Sequence, residues 1–315
     1  MGAKSAFVLP GGFWPIEEPD IQERVIPHNR FFTEVGSWRL SCGISISARL
    51  GGVLVFDFSG RANAIMSVNG GPSYFPSLIE ATDVRVKLIN AFSLCLHSSR
   101  VIGENFGSPP FKIDHQDLFH LSGDDVREGV GGNGLQKLPA MVAGGGYLRD
   151  FHRHGVIPES SFDLTCETLD FLVTHNYEKA LDLASLLNES LTSYANHEFA
   201  SSLITSWAIC ETLLQHRWNV YVNREGVTSA RRKRLTGRDY TASIMSEVLE
   251  LGGAITPETL ISLDKARKAR NSWMHSISQP DFKSAGECIT LATSMLGETL
   301  GREIGTSLSL SATGF

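Results

Sequence analysis

The sequence predicts an α+β protein, in which a β-containing N-terminal domain is followed by an all-α helical bundle. Apolar and polar residues alternate with a period of two early in the chain, whereas a helical period dominates from about residue 164. The 315 residues are 42% apolar and 20% charged, which is ordinary for a globular protein of two domains. We expect a domain at 1–160, a bundle at 161–303 and a flexible tail at 304–315.

The N-terminal domain should contain a β-hairpin over residues 38–58. Thirteen residues from Trp38 to Leu50 alternate without a break, which predicts one half-buried strand. Gly51-Gly52 then supplies a turn, because glycine adopts positive φ without penalty, and VLVFDF at 53–58 returns as the second strand.

A helix over 81–98 and a Gly-rich loop over 122–147 should complete this domain. In the helix, Val84, Leu88 and Phe92 share one stripe that should pack on the hairpin. The loop contains GVGGNG, which matches the letters of a dinucleotide-binding fingerprint. No strand precedes the match and Pro139 follows it too closely for a helix, so a loop is favoured.

Five helices are predicted in the bundle. Thr256-Pro257-Glu258 is a strong start signal, with a capping hydroxyl, a proline at the first position and an acid in the first turn. Pro280 should end that helix, and Asp281 can cap the next. The predicted helices lie near 176–193, 197–222, 240–251, 257–279 and 282–300.

Composition and charge narrow the function classes. The five cysteines form no close pair, which favours a reducing compartment over a disulfide framework. The N-terminus is interrupted by Pro10 and Gly11-Gly12 and does not resemble a signal peptide, and no apolar run is long enough to span a membrane. We therefore expect a cytoplasmic protein that contacts no membrane.

Positive charge is concentrated late in a chain whose net charge is −6. Such a local basic patch is compatible with RNA binding at one face, although exposed charge runs are usually just solvated. The candidate RNA-binding residues form two groups, namely Arg231, Arg232, Lys233 and Arg234 in a predicted loop at 223–238, and Arg267 and Lys268 in the helix that follows Thr256.

The end of the same helix carries the candidate catalytic residues Arg270, Asn271 and His275. Asn271 and His275 are four residues apart and share a helical face, and Arg270 is long enough to lean toward Asn271. A guanidinium for phosphate, an amide to orient and an imidazole to move a proton suit RNA cleavage without a metal. In that reaction the 2′-hydroxyl attacks phosphorus and Arg270 stabilises the transition state.

Arg270 also falls on a predicted packing stripe, where burying its charge without a partner would be costly. It should therefore face a carboxylate, another subunit or a phosphate. The stripe consists of Leu263, Ala266, Trp273 and Ile277.

Other histidine patterns are less specific. The spacing of Arg270 and His275 recurs at Arg149 and His154, but the neighbouring glycines leave no room there for a packed helix. His152 and His154, with His115 and His120, could be read as metal ligands, yet their spacing is not that of a metal site. We expect neither a metal nor a cofactor.

Glu211 is the candidate supporting residue. It sits at i+4 from Trp207 and i−3 from Leu214, within the apolar stripe of the 197–222 helix. A buried carboxylate needs a cation or several donors, so Glu211 either positions an arginine or is a partly exposed acid at the edge of the stripe.

These residues resemble the HEPN family over roughly 175–300. The late helix with Arg270-Asn271-x-x-x-His275, followed by one more helix, is similar to the HEPN motif helix. The preceding helix, SSLITSWAICETLLQHRW with its central Glu211, resembles the second helix of the Apea-like HEPN branch. The resemblance implies a helical bundle that dimerises and forms a composite site at the two-fold axis.

The resemblance implies a metal-independent ribonuclease, as many family members act in bacterial defence or toxin systems. Other members have lost activity, so the alternative is a non-catalytic dimerisation or RNA-binding module that regulates a partner. A third hypothesis is a small-molecule sensor with its pocket in residues 30–150. In each case the N-terminal domain could receive a trigger or contact a regulatory partner, by analogy.

Overall fold

A computed structural model describes residues 3–9, 13–17, 25–27, 32–61, 74–103, 110–121, 146–148, 155–224, 228–235, 240–308 and 310. The chain forms two compact units, Met1–Ser185 and Leu186–Phe315. Strands lie in the first unit and the second is helical, so the predicted α+β class with a C-terminal helical bundle is confirmed.

The first unit is built around a five-stranded antiparallel sheet of order β4-β5-β6-β1-β7. Two further pairs are parallel β2–β9 and antiparallel β3–β8. The strands are β1 Lys4–Val8, β2 Phe13–Pro15, β3 Val25–Pro27, β4 Glu34–Arg39, β5 Ser45–Arg49, β6 Val53–Asp57, β7 Phe119–Leu121, β8 Gly146–Leu148 and β9 Gly155–Ile157.

The predicted strand from Trp38 to Leu50 is wrong in one respect, because it is two strands joined by a tight turn. The Leu40 N–H donates to the Ile44 carbonyl (2.8 Å), and the Gly43 N–H donates to the Leu40 carbonyl (3.0 Å). Gly43 has φ +87°, a conformation that glycine adopts without strain. The alternation survives the turn, since Leu40, Ile44, Ile46, Ala48 and Leu50 are all buried.

The Gly51-Gly52 turn and the return strand are confirmed. The Gly52 N–H donates to the Arg49 carbonyl (2.8 Å), and Gly52 has φ +81°. β5 and β6 then pair from Ser45↔Asp57 to Ala48↔Leu54. The period-two pattern therefore predicted the correct faces and the correct hairpin.

The helix predicted at 81–98 is α1, Tyr74–Ile102, and is longer at both ends. Phe92 meets Phe56 edge-on (5.2 Å between ring centroids), so the helix packs on the hairpin as expected. Every residue from Leu88 to Arg100 is buried. This burial arises because a second helix, α2 (Glu159–Thr174), packs against α1 within the same unit.

α2 belongs to the first unit, which extends to Ser185. The Trp38 ring stacks on Phe162 at 5.0 Å, and its indole N–H donates to Asp163 Oδ1 (2.8 Å). Ser41 likewise donates to Asp170 Oδ1. The two units divide between Ser185 and Leu186, inside the helix α3, Ala180–Ala195.

In the second unit, α4 packs against the four helices that follow it and carries much of the core. Its side chains Leu203, Trp207, Cys210, Leu214 and Trp218 are buried. The helices of this unit after α3 are α4 Phe199–Arg224, α5 Ser229–Leu235, α6 Ala242–Leu251, α7 Pro257–Ser276 and α8 Phe282–Leu300. α5 corrects the prediction of a continuous basic loop over 223–238.

Capping residues place the ends of these helices. Thr256 accepts a hydrogen bond from the Thr259 N–H (3.2 Å), and Asp281 accepts one from the Ser284 N–H (2.8 Å). Both N-caps were predicted. α7 ends at Ser276 rather than at Pro280, because Ile277 adopts a left-handed conformation (φ +53°) and its N–H caps the Trp273 carbonyl.

Part of the predicted flexible tail packs on the bundle. Ile304 is buried, and the Thr306 hydroxyl donates to Thr293 on α8. Leu308 lies against Gly286, where an added Cβ would come within 3.0 Å of it. Residues 309 and 311–315 lie outside the described residues.

The cysteines and the apolar character of the helices are two further features of the chain. All five cysteines are free thiols, with Cys42 half-buried and the other four buried. Among the residues with described positions, no helix has both the length and the apolar character that crossing a bilayer requires.

We expect Thr256→Ala to lower the free energy of unfolding by about 1 kcal/mol, because the Thr259 N–H loses its acceptor. Thr256→Ser retains a hydroxyl and should cost less than half as much. Urea denaturation of the three proteins measures the difference. Equal losses in the two variants would show that the threonine methyl, and not the cap, is responsible.

Candidate functional site

The candidate catalytic residues lie on the last two turns of α7, where the helix leaves the core. Leu263 and Ala266 are 2% and 5% exposed, whereas Arg270 and Trp273 are only half-buried and Ile277 is 74% exposed. The predicted packing stripe is therefore buried in its first half alone. Arg270 lies at the point where the stripe becomes accessible.

Arg270 contacts an amide. Its Nη1 donates to Asn271 Oδ1 at 3.0 Å, which realises the predicted lean toward Asn271. No carboxylate among the described residues pairs with Arg270. The bond occupies the amide oxygen of Asn271 and leaves its NH₂ group able to donate to a ligand oxygen.

This hydrogen bond has a geometric consequence for His275. At 100° per residue, Arg270 and His275 leave the helix about 140° apart, whereas Asn271 and His275 are only about 40° apart. By bending toward Asn271, the Arg270 guanidinium moves to the side of the helix that carries His275. His275 is exposed, and no side chain among the described residues hydrogen-bonds to its imidazole.

The two cations that precede this group are not free. Arg267 Nη2 and Lys268 Nζ each lie 2.6 Å from a different oxygen of Asp264. Hydrogen bonds from Lys268 and then from Arg267 hold the pKa of Asp264 below its ordinary value. The three side chains together carry a single net positive charge. Asp264 is not among the residues predicted from the sequence, although its i+3 and i+4 spacing to Arg267 and Lys268 indicates such pairing.

The other basic group lies on α5. Arg231, Arg232, Lys233 and Arg234 are all exposed, and no side chain of this seven-residue helix is buried. Its end is anchored by Trp218, whose indole N–H donates to the Leu235 carbonyl (2.9 Å). Trp218 in turn stacks on Tyr240 at 5.4 Å. An aromatic anchor thus holds a solvated basic helix against α4.

Glu211 does not lie in the buried stripe. It is exposed, and none of the described cations pairs with it. Cys210, one residue before Glu211, and Leu214, three residues after it, are buried. Glu211 instead projects with Ala208 and Ile204 on the outer face of α4. Of the two readings, the structure shows the exposed acid. Arg217 of α4 pairs with Glu298 of α8 at 2.8 Å.

The catalytic candidates lie on an open surface. The groove between α7 and α8, about 680 Å³ in volume, is lined by Lys265 and Lys283 but also by Glu258 and Glu287, and it excludes Arg270, Asn271 and His275. A surface site suits a polymer or a second protein better than an enclosed small molecule.

Several predictions fall outside the described residues. These are the Gly129–Gly134 match, most of the 122–147 loop, the Arg149/His154 pair and His152. His115 is described, and its Nε2 lies 3.0 Å from Asp83 Oδ1 on α1. Within the described part of the chain, no three histidine, cysteine or acidic side chains cluster closely enough to hold a metal ion.

Comparison with known proteins gives no match: no family model, curated protein or solved structure is significantly similar to this chain. The resemblance to the HEPN family therefore rests on the motif of α7 and on the order of the helices.

Substitution of Lys268 tests the electrostatics of this surface. Because Lys268 is the first cause of the depressed pKa of Asp264, Lys268→Ala should raise that pKa toward its ordinary value. In the native protein, the contribution of Asp264 to stability should be present above the unfolded pKa and be lost as pH falls through the folded pKa. A carboxyl NMR titration of the wild-type and Lys268→Ala proteins measures the pKa of Asp264 in each.

Lys265→Ala is the matched control, since Lys265 is the neighbouring cation and its side chain makes no ion pair with Asp264. It should leave the pKa of Asp264 nearly unchanged. Equal effects of the two substitutions would mean that the general positive charge of α7, and not the Lys268 contact, lowers the pKa.

Proposed function

We propose that this protein is a metal-independent endoribonuclease of HEPN type, a cytoplasmic effector of bacterial defence or of a toxin system. The observation that carries the proposal is the Arg270–Asn271 hydrogen bond, which directs a guanidinium to the side of α7 where His275 is exposed. A phosphate-binding cation and a proton-transfer group then flank one accessible surface. The five free thiols are in keeping with a reducing compartment.

In this mechanism the RNA supplies its own nucleophile. His275 removes the proton from a 2′-hydroxyl, the 2′-oxygen bonds to phosphorus, and the bond from phosphorus to the 5′-oxygen breaks. The products are a 2′,3′-cyclic phosphate and a 5′-hydroxyl. Arg270 stabilises the negative charge of the phosphorane-like transition state, and Asn271 orients Arg270 and donates to a phosphate oxygen. DNA lacks the nucleophile and should be inert.

The reaction needs a base and an acid, and α7 offers one imidazole in each chain. A second copy could supply the other, so that a proton reaches the 5′-oxygen from the His275 of the facing copy. The surface around the motif supports such a dimer. Met274, Ile277 and Phe282 are apolar and more than half exposed at the end of α7 and the start of α8. Their burial against a copy would favour association.

The RNA strand would be held by the basic residues outside the motif. Arg231, Arg232, Lys233 and Arg234 on α5 present exposed cations to the phosphate backbone. Arg267 and Lys268 contribute less than two free cations would, because they share Asp264.

The alternative is a non-catalytic HEPN-like module that dimerises or binds RNA and regulates a partner, with the first unit as the regulatory part. The position of Glu211 favours it, because the acid expected to position an arginine faces solvent. In addition, none of the described carboxylates orients His275. Binding without cleavage is what this alternative predicts.

The purified protein should cleave single-stranded RNA in the presence of EDTA and leave cyclic phosphate ends, while a DNA of the same sequence stays intact. His275→Asn should lower the cleavage rate by roughly 10²–10⁴-fold, because the proton-transfer group is lost. Gel analysis and mass spectrometry of the product ends provide the measurement.

His197→Asn is the matched control. His197 is an exposed histidine of the same unit, and its left-handed backbone (φ +63°) is one that asparagine tolerates. This variant should cleave at the wild-type rate. If His275→Asn also does, the proposed mechanism is wrong. If the wild-type protein binds RNA but does not cut it, the alternative function holds.

A further inference from the structure

α1 carries two buried arginines that differ in how their charge is satisfied. Arg85 is fully buried, and its Nη1 donates to Ser5 Oγ at 2.9 Å. Its guanidinium also lies over the Phe58 ring at 5.2 Å. Burial lowers the pKa of Arg85 to about 10, and the nearby Asp57 carboxylate partly opposes this effect. Arg85 is thus a core arginine with partners.

Arg100, in the last turns of the same helix, has no comparable hydrogen bond. The residue is 6% exposed, and its Nε and Nη1 atoms are buried with no hydrogen-bond partner among the described residues. The guanidinium lies over the Phe13 ring, 4.4 Å from its centroid. A cation–π contact satisfies the face of the guanidinium but not the N–H groups, which lie in its plane.

The polar residues that precede Arg100 in this turn are also buried, but they have interaction partners. His97, Ser98, Ser99 and Arg100 are consecutive polar residues, and all four are buried. His97 and Ser98 have partners, and the Ser99 hydroxyl bonds to the Leu96 carbonyl and to Thr165 of α2. A buried polar group without a partner is costly, and a buried charge is more so. Arg100 alone in this turn has unused donors.

The environment favours an anion at this position. Burial lowers the pKa of Arg100, and no carboxylate among the described residues opposes this effect, but an arginine remains protonated at neutral pH. The carbonyl end of α1 offsets only part of the cost of that charge. A planar guanidinium with free N–H groups matches the oxygens of a phosphate or a carboxylate.

We infer that Arg100, held over the Phe13 ring, binds the phosphate or carboxylate group of a small anionic ligand in the first unit. The ligand would lie at one edge of the guanidinium, accept a hydrogen bond from Nε or Nη1 there, and neutralise the buried charge. This inference does not rest on the proposed ribonuclease activity, since its residues belong to β2 and α1 and its test involves no RNA.

Thermal unfolding of the whole chain tests the inference with inorganic phosphate and with succinate, each compared with chloride at matched ionic strength. At ten times its Kd, the effective anion should raise the Tm of the wild-type protein by about 3 °C. Arg100→Met should abolish this rise. Its Tm in chloride should equal or exceed that of the wild type, because a buried unpaired charge is removed.

Lys87→Met is the matched control, since it removes the same charge from a half-exposed position of α1, where Lys87 pairs with Asp182, and it should retain the full rise in Tm. A general salt effect would instead shift all three proteins equally and would overturn the inference, as would no shift in the wild type. If Arg100→Met does not fold, Arg100→Lys keeps the charge without the planar fork and should at least halve the rise. Whichever of phosphate and succinate gives the larger rise in Tm identifies the class of anion that binds.

Discussion

α7 packs against α4, α6 and α8 and buries two apolar side chains, and the candidate site depends on where that burial stops. Leu263 and Ala266 are buried against the bundle, while no later residue of α7 is. The following two turns therefore run along the surface with Arg270, Asn271 and His275 accessible. If the buried stripe continued to Ile277, Arg270 would be a core arginine like Arg85, out of reach of an RNA strand. The caps at Thr256 and Ile277 fix the length of this exposed portion.

Within that exposed portion, a single hydrogen bond organises the chemistry. A helix separates Arg270 and His275 too widely for both to project in one direction. The bond from Arg270 to Asn271 reduces this separation, because it draws the longer side chain around the helix. Asn271 is therefore best described as a positioning residue for Arg270. The neighbouring Asp264 holds Arg267 and Lys268, which limits competition for the same phosphate.

Patterns with local causes were readable from the sequence. The caps at Thr256 and Asp281, the Gly51-Gly52 turn and the alternating faces around Ile46 follow from neighbouring residues, and the structure has each of them. The contact between Arg270 and Asn271 was predictable for the same reason, because the two residues are adjacent in the chain. Features that depend on tertiary packing were not readable. The turn at Gly43 divides the single strand that the alternation predicted, because the chain reverses there to pair β4 with β5.

The position of Glu211 shows the same limit. A helical stripe has an edge whose burial depends on how closely the neighbouring helices approach, and a residue 40° from Trp207 can lie on either side of it. α4 leaves that edge in solvent. Likewise, the sequence of α1 predicted an amphipathic helix. Arg85 and Arg100 are buried only because α1 packs between the sheet and α2, which the sequence of α1 alone does not show.

The central claim is that Arg270 and His275 serve one transition state. Cleavage rates of Arg270→Ala, His275→Asn and the double variant test it most directly, with the wild type as reference. Residues that act as a unit are strongly non-additive, so the double variant should be no slower than about the more damaging single variant. If the two losses multiply instead, Arg270 and His275 act independently, and the site described on α7 is not a catalytic unit.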